Sequence, residues 1–124
     1  MAIAPSEDIV RAILTEKWDG ERASPSLFKG SNISVSRLAV IPLSDHWDIF
    51  RQLENPPERR LQRIGEINTG ALQKIGRDYK DPIELRVEPK PEEWNKAHAE
   101  IPEKITKGLS RKIVNALKLH SPPI

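Results

Sequence analysis

The sequence contains no cysteine, which removes disulfides, thiolate nucleophiles and every cysteine-based zinc site together. Such a chain suits a reducing compartment, and a cytoplasmic protein is expected. Aromatic residues are only 5% of the 124, too few to spell out a platform on which bases stack. No apolar run nears the ~20 residues that span a bilayer, and the start of the chain lacks a basic-then-apolar export signal. A membrane partner is therefore not expected. The six glycines are scattered, so there is no glycine-rich phosphate cradle. No Gly-x-Ser-x-Gly elbow marks a nucleophilic serine. His46, His98 and His120 stand in no metal-ligand motif; Glu100 would share a strand face with His98, but one pair does not make a site. Neither a metal nor a cofactor is expected.

What the chain does have is proline, charge and serine. Eleven prolines argue for short elements and many loops. At 31% charged and 37% apolar, the chain is soluble but poor in core-forming residues. Its length fits one domain, read as residues 1–120 with 121–124 as a loose tail. The net charge of +2 hides an asymmetry. The first 62 residues hold eight basic and nine acidic side chains, the last 62 twelve and nine, and residues 103–120 five against one. A local excess of this kind matters for docking more than the total does.

Ser6 followed by Glu7 and Asp8 reads as a helix start, and Ile9, Ile13 and Leu14 recur at helical spacing to about Glu16. Asp19-Gly20 stops it, with Trp18 folded back as a boundary aromatic. The run from Arg22 to Arg37, with five serines, reads as a polar loop turning into a strand from Ile33 to Val40. Ser44-Asp45 opens a short helix with Trp47, Phe50 and Leu53 on one face. A further helix from Pro57-Glu58 places Leu61 and Ile64 inward. Between Gly65 and Gly76 the pattern allows a short helix from Thr69 ended by Gly76, or a strand at Glu66-Ile67.

Pro82 to Pro89 alternates cleanly and reads as an edge strand, with Ile83, Leu85 and Val87 inward. Ala97 to Ile101 reads as a short strand ended by Pro102. The last helix runs from Glu103 to His120. It places Ile105, Leu109, Ile113, Ala116 and Leu117 on one side and a basic ridge of Lys104, Lys107, Arg111 and Lys118 on the other. The expected fold class is α+β: a single small domain of three or four short helices on a small, mostly antiparallel sheet, closed by a basic C-terminal helix.

Three functions compete. The leading one is a soluble bacterial accessory or protein-interaction module, with another protein as partner and without a cofactor of its own. The serine-rich loop (Arg22, Ser24, Ser26 and Lys29), the basic ridge and an open sheet edge supply its docking surface. The second is a small enzyme or anionic-ligand binder in which Arg22 contacts the anion, Ser24 or Ser26 assists and His98 acts as acid or base. The third is a nucleic-acid binder that tracks phosphates along the ridge, although no helix-turn-helix or RNA-binding signature is present.

The pattern Trp18…Arg22-x-Ser24-x-x-x-Phe28-Lys29…Ile33-Ser34-Val35, with Asn95-x-Ala97-His98-Ala99-x-Ile101 later, resembles a group of small bacterial proteins. In these an Arg-x-Ser-Ser-x-x-Phe-Lys run precedes a Leu-Ser-Val strand and a His-Ala element precedes a basic terminal helix. Pro25 stands here in place of the second serine of that pair. The resemblance spans most of the chain and brings no activity with it. It implies that the Arg22–Val35 segment and His98 belong to one design and lie close in space.

Overall fold

The structure, a computed structural model, describes residues 2–123. Three helices pack on a six-stranded antiparallel sheet. In chain order the elements are β1 (Asp8–Leu14), β2 (Ile33–Arg37), α1 (Leu43–Arg51), β3 (Leu61–Asn68), α2 (Thr69–Asp78), β4 (Glu88–Pro89), β5 (His98–Ile101), α3 (Lys107–Asn115) and β6 (Lys118–His120). The strand order is β4-β5-β2-β1-β3-β6, and every pairing is antiparallel.

The sheet is covered on both faces. Ile9 and Ile13 of β1 join Ile33, Val35, Ile67, Ala99 and Ile101 in the larger core, which Leu72 of α2 and Leu109 and Ile113 of α3 complete. Val10 and Ile64 point the other way and meet Trp47 and Phe50 of α1. Covering on both faces explains why the helix expected over residues 6–16 is a strand. Residues 9 and 13 lie four apart, a spacing that also keeps them on one face of a strand, and a doubly buried strand loses its alternation. Glu7, expected at a helix start, instead forms a two-pronged ion pair with Arg37 (3.0 and 2.9 Å).

The helix expected from Pro57 is also a strand: β3 fills the position between β1 and β6, with Ile64 fully buried. Helix α2 starts at Thr69 as expected, with the Asn68 side chain accepting from the Ala71 amide at 3.0 Å. It continues past Gly76, which is therefore not a terminator. A Cβ at Gly76 would lie 2.7 Å from the Ile83 carbonyl oxygen; the glycine lets the chain cross the helix.

Residues 82–89 keep the expected facing, with Leu85 and Val87 buried and Glu84 and Arg86 exposed. Only Glu88–Pro89 joins the sheet, at its edge. The rest finds other partners: the Ile83 amide donates to Gly76 O (3.0 Å), the Arg86 amide to Glu103 (2.8 Å), and Leu85 O accepts from Gln73 Nε2 (3.0 Å).

The terminal helix is shorter than expected at both ends. Thr106 caps it, accepting from the Leu109 amide at 3.3 Å. Ile105 is buried through a two-bond bridge to Gly30 instead (2.8 and 2.9 Å). After Asn115 the chain turns, and Lys118–His120 form β6 on the free side of β3. Lys104 and Lys118 thus lie outside the helix, Ala116 is exposed, and the single ridge expected along it does not form. No helix among the described residues is long and apolar enough to cross a membrane.

Candidate functional site

The serine-rich loop is anchored from within. Leu27 and Phe28 are buried, and the Phe28 amide donates to Ser110 Oγ of α3 at 2.9 Å. With its middle held in the core, the start of the loop faces the C-terminal end of α3 across an open cleft of about 760 Å³. Arg22 and Ser24 line it from the loop and Arg111 from α3, while Trp18, Leu117 and Leu119 form apolar walls.

Neither Arg22 nor Arg111 has a carboxylate partner among the described residues. Two of the three acids nearby are occupied. Asp19 accepts from the backbone amides of Arg22 (2.7 Å) and Glu21 (2.8 Å), which hold its carboxyl below the usual range. Glu16 is lowered chiefly by its hydrogen bond with Arg59. Of the acids lining the cleft, only Glu21 has no such partner.

A chain of hydrogen bonds ends in the same cleft. The Lys17 ammonium, which can only donate, lies 2.8 Å from Ser26 Oγ, and Ser26 Oγ lies 2.8 Å from Ser24 Oγ. Either hydroxyl of the Ser24–Ser26 pair can donate to the other. Ser24 Oγ also accepts from the Ser26 amide at 3.2 Å. Two guanidiniums and a hydroxyl in one cleft make an anion-receptive surface.

His98 is elsewhere. It lines a small pocket of about 90 Å³ on the α1 side of the sheet, with Arg11, Ser34, Phe50, Leu53 and Trp94. This pocket shares no lining residue with the first. The acid-base partnership expected between His98 and Arg22 or Ser24 is not what the imidazole makes. His98 Nδ1 faces Lys90 O at 2.8 Å and Nε2 faces Ser34 Oγ at 3.1 Å. Ser34 belongs to the same serine-rich run, so the run does meet His98, but ten residues downstream of Ser24.

The pocket exists because β1 and β2 separate. Their ladder contains only Ile9–Arg37 and Val10–Ser36. Beyond it the Arg11 side chain bridges the gap, donating from Nε to Leu27 O (3.0 Å) and from Nη1 to Ser34 O (2.6 Å), with its guanidinium 5.7 Å from the centre of the Phe28 ring. Burial, with a smaller contribution from Arg59, brings the Arg11 pKa down to about 10, so it remains charged at neutral pH. Arg11 was not singled out in the sequence, although a lone charge between Ile9-Val10 and Ile13 is the signal that marks it.

Of the remaining basic residues, Lys29 is exposed late in the loop, Lys104 precedes α3, Lys107 is its first residue and Lys118 lies on β6. Among the described residues no group of three or more His, Asp or Glu side chains is placed to hold a metal ion. No protein-family model, curated protein or solved structure matches the chain.

Proposed function

We propose that the protein is a docking module that holds an extended, acidic and apolar segment of another protein in the cleft between Arg22 and Arg111. The observation that carries this reading is the pairing of two arginines lacking carboxylate partners with an apolar wall. Leu119, 43% exposed, is one of two large apolar side chains left open to solvent among the described residues. It lies on β6, an edge strand of the sheet. The other edge, β4, contains Pro89 and has lost a backbone donor there. An incoming strand laid along β6 gains main-chain hydrogen bonds while its alternate side chains meet Leu119 and the arginines.

The test is selection of binders from a random peptide library, followed by anisotropy titration of the winners. Acidic residues next to apolar ones should be enriched. Arg22→Glu with Arg111→Glu should weaken binding by about tenfold or more, and binding should weaken with added salt. Winners without acidic residues, or affinities unchanged in the double variant, would overturn the reading.

A further inference from the structure

The pocket around His98 carries an inference separate from the cleft. A backbone carbonyl can only accept, so the proton facing Lys90 O sits on Nδ1. In the neutral ring this leaves Nε2 as an acceptor, and Ser34 must donate to it. The ring is fixed on both sides, buried, and in tilted contact with Trp94 at 5.8 Å. Ser34, by contrast, is exposed. An open hydroxyl bonded to an imidazole whose far nitrogen is held by an acceptor is the arrangement that activates a serine.

Ser36 and His46 make a superficially similar pair at 2.6 Å, but both are fully buried and Asn95 Nδ2 closes the arrangement at 3.0 Å. Nothing can reach that hydroxyl. Ser34 differs in opening beside a pocket with an arginine in its lining. Arg11 spends one N–H of Nε and one of Nη1 on carbonyls, and a guanidinium has five in all. Its charge, bonded to the Ser34 carbonyl at 2.6 Å, favours a negative oxygen forming at the neighbouring hydroxyl. At about 90 Å³ the pocket holds roughly three water volumes of ~30 Å³. Its apolar walls of Val10, Phe50, Leu53 and Trp94 suit a methyl-sized group rather than a long chain.

We propose that Ser34 is a nucleophile for small acyl esters, with His98 as its general base and Arg11 as the charge that steadies the oxyanion. Ser34 Oγ bonds to the acyl carbon as its proton moves to His98 Nε2. The ester C–O bond then breaks, and the leaving alcohol takes that proton. Water attacks the acyl-serine, its proton passes through Nε2 to Ser34 Oγ, and a carboxylic acid is released. Ester and water are consumed, alcohol and acid are formed, and no oxidant or metal enters.

The experiment uses p-nitrophenyl acetate and a fluorophosphonate probe on the intact protein, with peptide mass spectrometry locating the adduct. The expected adduct is on Ser34, lost in Ser34→Ala and retained in Ser44→Ala, an exposed serine outside both sites. His98→Gln should slow its formation by about 100-fold or more. Far-ultraviolet circular dichroism and the summed fluorescence of Trp18, Trp47 and Trp94 report whether that variant folds. If it does not, the exposed Ser34→Ala change still decides the matter. Adducts only on lysines or other serines, or an unchanged rate in a folded His98→Gln protein, would overturn the proposal. Peptide binding in the cleft is read separately, so either result stands without the other.

Discussion

His46 has no exposed surface, and each of its ring nitrogens has a partner: Nδ1 meets Pro42 O at 3.0 Å and Nε2 meets Ser36 Oγ at 2.6 Å. Asn95 Nδ2 donates to Ser36, so a consistent set of protons runs from Asn95 to Ser36 to a neutral His46. Burial lowers its pKa, outweighing the opposing pull of the Pro42 carbonyl. Because the folded value lies below the unfolded one, the unfolded chain binds more protons in acid, and stability falls as the pH drops below the ordinary histidine value of about 6.5. Urea unfolding midpoints across this range should fall with pH in the natural protein and fall less steeply in His46→Gln. Equal slopes would show that other groups dominate. His98 was the histidine that stood out in the sequence, and its closeness to the serine-rich run was legible from the resemblance. Its partner was not, because only the strand register brings Ser34 within 3.1 Å of it.

Helix α2 is held at Gly76 by the crossing chain, and a methyl group there would lie 2.7 Å from the Ile83 carbonyl oxygen and 3.1 Å from Leu85. Backbone yields less than a side-chain tip. Gly76→Ala gains about 1 kcal/mol of helix propensity but suffers an overpacking cost of ~1–3 kcal/mol, so a net loss of up to about 2 kcal/mol is expected from denaturant titration. A variant more stable than the natural protein would show that the crossing segment moves freely. Sequence patterns located α1 well through its one wet face, with Trp47 and Phe50 inward, and β5, which has no exposed residue, through its stop at Pro102. Where both faces are buried, as in β1, the two periodicities coincide over short spans and only the neighbouring strands decide. At residues 82–89 the facing was legible but the bonding was not, since an alternating run shows which side chains are inside and not where the amides go.

Across the whole molecule, the sheet order follows long-range pairing. Strand β1 joins β3 over its full length, from Asp8–Asn68 to Leu14–Leu61, while β4 and β6 close the edges with two and three residues. Stability should be graded from centre to rim. Amide exchange followed by mass spectrometry should be slowest in β1 and β3 and fastest in Lys118–His120; uniform protection would contradict that gradient. The α+β class was legible in the alternation of helical and extended patterns, but not the sheet order, because no local signal places residue 10 beside residue 36 or residue 65 beside residue 119.

The guanidinium of Arg11 acts as a wedge at the middle of this sheet. By taking the carbonyls of Leu27 and Ser34 it relieves β2 of the need to zip against β1, and the opening that results has one side chain as its prop. The bore of that opening is therefore tunable from a single codon. A short apolar residue there would invite the strands to close and seal the recess, while leaving the outer cleft untouched.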